Sequence, residues 1–144
     1  IYLWLNFGVL PFWIILIFFP QSRLCGLLAT SIFPFLILGS VYIYLFYYFF
    51  NDGYDFFENF ELYLGIYNLA NLFENEAFLI LIWTHFLAIN LFCATWIVRD
   101  SQKYFMSKYL NLIPLIITYF VGPVGIVIYW IIRIFFAKKI SLFD

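Results

Sequence analysis

Four long apolar stretches, nearly free of charged side chains, decide what this sequence can fold into. They run from about Ile1 to Phe19, Ile32 to Phe50, Ala77 to Val98 and Leu110 to Phe136. Each is close to the roughly 20 residues that carry a helix across a hydrocarbon layer of about 30 Å. Only 10% of the residues are charged, against the roughly one quarter that a water-soluble domain uses to cover its surface. Lipid must then be part of the solvent. Single apolar segments in lipid have to satisfy their own backbone groups, so each stretch reads as a helix. The expected fold is an all-α integral membrane protein of one domain, residues 1–144. It is a four-transmembrane-helix bundle with spans at 1–19, 32–50, 77–98 and 110–136. The first stretch has no basic segment before it and no small-residue cleavage site after it, so it reads as a span, not a signal peptide. Aromatic residues make up 26% of the chain, which fits a broad interfacial belt.

Charge is sorted along the chain. Asp52, Asp55, Glu58, Glu61, Glu74 and Glu76 lie between the second and third stretches, with no Lys or Arg among them. Arg23 follows the first stretch, and Arg99, Lys103 and Lys108 follow the third. The positive-inside rule puts those basic loops on the cytoplasmic side and the acidic loop 51–76 on the other. Arg133, Lys138 and Lys139 then conflict with four crossings, because a fourth span delivers them to the acidic side. The fourth stretch is broken by Gly122-Pro123-Val124-Gly125. A kinked span is the expected form. A re-entrant hairpin that returns the tail is the alternative, since each half is too short to cross alone. Within the acidic loop, Leu62, Ile66, Leu69 and Phe73 recur at helical spacing opposite Asn68 and Asn71, which predicts a short amphipathic helix.

On the third helix His85, Ala88, Phe92, Thr95 and Arg99 share a stripe, and on the fourth so do Thr118, Gly122, Gly125 and Tyr129. Small residues permit close approach. The simplest packing therefore joins the two stripes, with His85 and Tyr129 facing an inner crevice. The glycine break either serves this packing or opens backbone carbonyls toward a ligand. His85 is among the few ionisable groups inside a span and is the first candidate for an acid or base. Glu76, at the entry of the same helix, is the second. Asn90 lies about 140° around the helix from His85. Asn6 is a further polar group in the first span, able to bond across helices. Arg99-Asp100 reads as the interfacial end of the third helix, anchored by snorkelling.

Cys25 and Cys93 have neither a disulfide nor a zinc spacing, and one histidine does not make a haem or metal centre, so no cofactor and no metal are expected. Phosphate-cradling glycine loops and nucleophile elbows are missing from the sequence. A net charge of -1 leaves no field for nucleic acid.

The segments VLPFWIILIFFP, VYIYLFYYFF, LANLFENEAFLILIWTHFLAINLFCATWIVRD and GPVGIVIYW together resemble the ABA-deficient-four-type family. These are small four-helix membrane proteins whose plastid members are tied to neoxanthin synthesis. The resemblance spans nearly the whole chain. It is most specific at Trp83-x-His85, Leu91-Phe92 and the Gly122 to Gly125 break. One position departs: Asn90 stands where the family usually has Asp before Leu-Phe, so a carboxylate acid or base is missing there. The Trp96-Ile97-Val98-Arg99-Asp100 ending is similar to bacterial relatives, which implies a bacterial inner membrane before a plastid one. The resemblance implies a protein that binds or modifies a carotenoid (xanthophyll). Its catalytic version is an epoxide-to-allene isomerase without a redox cofactor. Trp83, Asn90, Tyr129, Gly122 and Gly125 are the expected ligand contacts, with His85 and Glu76 as catalytic candidates. A non-catalytic accessory subunit of a larger membrane pigment-protein or energy-transducing complex is the alternative, and membrane lipid is a partner in either case.

Overall fold

A computed structural model describes residues 1–138 and 140–142. Six α-helices carry the fold: α1 Tyr2–Phe18, α2 Phe33–Asn51, α3 Ile66–Phe73, α4 Glu76–Lys103, α5 Lys108–Phe120 and α6 Gly122–Ala137. No strand occurs among the described residues. Two segments are long and apolar enough to cross a membrane, Cys25–Asn51 and Glu76–Lys103, while α1 and α6 are apolar but shorter.

The starts of these helices follow from local chemistry. Asn75 opens α4 by accepting from the backbone N–H of Ala77 at 2.9 Å, and Ser107 opens α5 by accepting from that of Tyr109 at 3.4 Å. Such caps satisfy donors that a helix start leaves without partners. Gly65, at φ 153°, makes the turn that separates α3 from a 3₁₀ segment at Phe56–Tyr63. The amphipathic helix expected in the acidic loop is therefore present. Leu62 belongs to the 3₁₀ turn before it, and Leu72 carries the buried contact. At that end of the molecule Tyr54 donates to Asn59. Burial and the nearby Glu58 and Asp55 carboxylates raise its phenol above the ordinary tyrosine range.

α4 is the axis of the bundle and touches every other helix. α1 runs parallel to it. Tyr2 and Asn6 meet Trp83 near the start of α4, and the Pro20 carbonyl beyond α1 accepts from Gln102 near its end. α2 runs antiparallel, with Phe35 at its start packed on Phe92 and its last turn leading into the acidic loop. Leu5, Val9, Trp13 and Leu16 of α1 and Leu87, Leu91, Ala94, Ile97 and Val98 of α4 form the core. Outside this seam the surface is apolar too: Trp4 is 82% exposed, Leu27 71% and Ile43 70%. Contiguous apolar exposure on that scale requires a partner or a lipid environment.

The fourth stretch is not the kinked span that was expected. α5 and α6 form an antiparallel helical hairpin along the C-terminal half of α4. At its base Asn111 of α5 bonds Ser101 and Arg133 of α6 bonds Asp100; at its apex Tyr119 meets Asn90. The cause is local. Val121 is extended, at φ -143° and ψ 86°, which ends α5 and starts α6. Pro123 has no N–H to give the Tyr119 carbonyl four residues back, so the helix cannot continue through. α6 also packs tightly on α5 because residue 125 is glycine. A Cβ there would lie 2.7 Å from the Thr118 nitrogen and 2.8 Å from the Pro114 oxygen. The hairpin removes the conflict of the basic tail. Arg133 and Lys138 return to the end of the bundle that holds Arg99, Lys103 and Lys108, opposite the acidic loop.

Candidate functional site

The residues singled out in the sequence separate into three places. Glu76 and Trp83 stay together near the acidic end, where they line a crevice of about 230 Å³ with Tyr2 and Ile80. The Trp83 indole donates to Asn6 Oδ1 at 3.2 Å, and Asn6 Nδ2 donates to the Tyr2 carbonyl at 2.8 Å. Asn6 is thus the cross-helix polar group that its position in an apolar stretch implied. His85 is not beside them in a crevice. It is exposed on the outer face of α4, between Leu81 and Ile89 on the helical pitch.

The expected meeting of stripes is corrected by the same observation. His85, Phe92 and Arg99 are all exposed, so that stripe looks outward or toward α2, where Thr95 donates to the Ala29 carbonyl at 3.3 Å. The hairpin packs instead on the Asn90 and Ser101 side. Thr118, Gly122, Gly125 and Tyr129 are buried as expected, but their neighbours are Asn90 and Trp96 rather than His85. Trp96 meets the Tyr129 ring edge-on at 5.5 Å.

Asn90 has a definite duty at the hairpin apex. Its Nδ2 donates at 3.2 Å to the Tyr119 carbonyl, the acceptor that Pro123 leaves without a backbone donor. Gly122 lies so close that a Cβ there would come 3.3 Å from Asn90 Cγ. Asn90, Gly122 and Pro123 therefore act as one structural unit, and the Asn90 amide supplies the hydrogen that this unit needs.

At the basic end the structure assembles a cluster that the sequence reading did not. Arg133 is 0% exposed and donates through Nε to Asp100 Oδ2 at 2.6 Å and through Nη2 to Oδ1 at 3.4 Å. Tyr129 donates to the same Oδ2 at 2.6 Å. The guanidinium also lies over the Tyr104 ring at 5.0 Å, and its Nη1 donates to the Ser141 carbonyl at 2.9 Å. Asp100 is therefore not a helix-ending surface anchor. α4 continues past it to Lys103, and only Arg99 keeps the exposed, snorkelling position. The available signal was the spacing of Tyr129 and Arg133, one turn apart on one face, and the lone acid among basic residues at positions 99–108.

Two larger grooves flank this core. One lies between α1 and α2, holds about 450 Å³ and is lined by Trp4, Val9, Phe12, Leu38, Val41 and Tyr44 among others, with no charged side chain. The other, of about 570 Å³, lies at the basic end between the start of α2 and the end of α4.

The sequence model of the ABA DEFICIENT 4-like family matches residues 1–129. That match takes in Asp100 and Tyr129 and stops short of Arg133. Among curated proteins the chain is similar to Protein ABA DEFICIENT 4, chloroplastic, from Arabidopsis thaliana. It is 28% identical to that protein over 105 residues, which cover 67% of this chain and 44% of the plant protein. The chain thus spans less than half the length of that relative. The relative's chloroplast location does not favour the bacterial inner membrane that the Trp96 to Asp100 ending implied. No solved structure matches the chain.

Proposed function

The chain belongs to the ABA DEFICIENT 4-like family, and from that premise we propose that it is a membrane-embedded protein that binds or modifies a xanthophyll. The α1–α2 groove is the observation that carries this reading. A polyene is a stiff apolar rod, and a cleft walled by Trp4, Phe12 and Tyr44 without a charge can hold one at little desolvation cost. In a catalytic version an acid protonates an epoxide oxygen while a base removes a proton from a neighbouring carbon. Glu76 and His85 are both exposed; Glu76 lines the separate crevice with Trp83 and Tyr2, and His85 looks outward from α4.

Protein purified in a mild detergent is expected to carry a polyene visible spectrum, and Trp4→Ala is expected to lower the bound pigment several-fold by opening the groove wall. Colourless protein that neither takes up nor converts an added xanthophyll would sink the reading. Conversion that survives Glu76→Gln and His85→Ala at an unchanged rate would remove both from the chemistry.

A second reading, an accessory subunit of a larger membrane complex, is favoured by His85 itself. A polar side chain on an apolar outer face, with Ile89 and Phe92 exposed beside it, suits docking of another helix. Stoichiometric co-purification with a large complex, lost in His85→Leu, is the outcome that distinguishes it.

Membrane topology is part of the proposal: α1, α2 and α4 cross, and the α5–α6 hairpin is re-entrant. α5 has 13 residues and α6 has 16, both below the roughly 17 at which a helix begins to span, a length that α1 with 17 residues just reaches. Cys25 and Cys93 are buried, so single cysteines at Glu58, Lys108 and Lys138 report on sidedness without their removal. A membrane-impermeant thiol reagent is expected to reach Lys108→Cys and Lys138→Cys from one side and Glu58→Cys from the other. Labelling of Lys138→Cys and Glu58→Cys from the same side would show that the segment crosses.

A further inference from the structure

The groove at the basic end has chemistry that the pigment reading does not use. Its volume of about 570 Å³ falls within the roughly 300–1,000 Å³ of ligand sites. Arg99, Asp100, Lys103 and Ser31 line one part of it, and Phe35 and Phe92 another. The two rings meet edge-on at 5.8 Å. Phe92 is 58% exposed, so the apolar part opens sideways from the bundle. A site that is polar at the helix ends and apolar toward the flank has the shape of an amphiphile lying along the protein.

We propose that this groove binds one phosphoglycerol-headed lipid. Its phosphate sits on Arg99 with Lys103 beside it, its glycerol hydroxyls meet Ser31 and Asp100, and an acyl chain lies along Phe35 and Phe92. Arg99 makes no hydrogen bond or ion pair with the described residues, and a guanidinium fork matches phosphate oxygens. The Asp100 charge is already offset by Arg133, so it does not repel the phosphate as an isolated carboxylate would.

The other polar groups decide the headgroup. The Ser31 hydroxyl gives its hydrogen to the Leu28 carbonyl at 2.9 Å and accepts from the Phe33 N–H at 3.1 Å, so what it keeps for a ligand is its second lone pair. Asp100 Oδ1 takes only the longer 3.4 Å bond from Arg133 and keeps accepting capacity. Both need a ligand that donates hydrogens next to its phosphate. A glycerol headgroup does so without charge, whereas a choline headgroup has no donor and an ethanolamine headgroup brings a third cation beside Arg99 and Lys103.

The test uses the full chain in detergent micelles, with lipid adducts read by native mass spectrometry and fold checked by thermal unfolding. Phosphatidylglycerol is expected to be retained over phosphatidylcholine, and Arg99→Gln to weaken it roughly tenfold. Arg23→Gln, at the same end but outside the groove, is expected to leave retention unchanged. Equal weakening by Arg23→Gln would reduce the effect to general surface charge and overturn the site. Retention of phosphatidic acid as strong as that of phosphatidylglycerol would overturn the hydroxyl contacts. Full competition by soluble glycerol phosphate would assign the groove to a free phosphate ester instead of a lipid. None of these readouts involves the pigment, so the lipid site and the xanthophyll reading succeed or fail separately.

Discussion

Arg133→Met is expected to destabilise the folded protein by about 3–5 kcal/mol, because it leaves the Asp100 carboxylate buried without its cation. The pair bridges α4 and α6, with Arg133 fully buried and the Asp100 side chain only 7% exposed. An exposed pair would contribute about 0–1 kcal/mol, so the magnitude itself reports burial. Tyr129 does not rescue the variant. Its hydroxyl donates one hydrogen to Oδ2 and carries no charge. Removing both charges, as Asp100→Leu with Arg133→Met, is expected to restore most of the loss, since a neutral pair of similar volume carries no desolvation penalty. Unfolding midpoints in detergent along this double-mutant cycle make the comparison. A single-variant loss below about 1 kcal/mol, or a double variant as unstable as the sum of the singles, would mean that the pair is not the clamp it looks.

The same pair shows why parts of the fold were readable in the sequence and parts were not. Long apolar runs bounded by charge located α2 and α4 to within a few residues, except that α4 continues to Lys103. The loss of hydropathy after Val98 marks where the apolar run ends, not where helical hydrogen bonding ends. The spacing of Leu62, Ile66, Leu69 and Phe73 marked α3, although Leu62 falls in the 3₁₀ turn before it. The pairing of faces was not legible, because a helix that is apolar all round has no amphipathic side to reveal its partner. Small residues on a stripe showed that Gly122 and Gly125 sit in a close contact, without showing that the contact is with α5 and Asn90. Charge sorting held the better clue. A basic tail that violated the positive-inside rule for four crossings needed either an exception or a returning chain, and the hairpin is the returning chain.

Asn90→Asp is the second substitution with a large expected effect, because it puts a carboxylate at a place where this chain needs a donor. Asn90 is 3% exposed, and its Nδ2 lies 3.2 Å from the Tyr119 oxygen. With Asp, two oxygens face each other there, the Tyr119 carbonyl loses its partner, and an ionised carboxylate is buried without a cation. The expected cost is about 3–5 kcal/mol for the ionised form, falling as pH drops and the acid gains a hydrogen to donate. Here the folded-state acid titrates higher than the unfolded one, so stability is greatest at low pH and is lost as pH rises. Asn90→Leu, which removes the donor without adding charge, is expected to cost about 1–3 kcal/mol with no such pH dependence. Restoring a partner tests the mechanism. Asn90→Gln keeps an amide that can donate to the Tyr119 carbonyl, so it is expected to cost less than Asn90→Leu and to show no such pH dependence. If Asn90→Asp were as stable as the parent at neutral pH, or Asn90→Leu cost less than about 1 kcal/mol, residue 90 would not be what satisfies the hairpin apex. The amide would then have to be explained by a ligand instead.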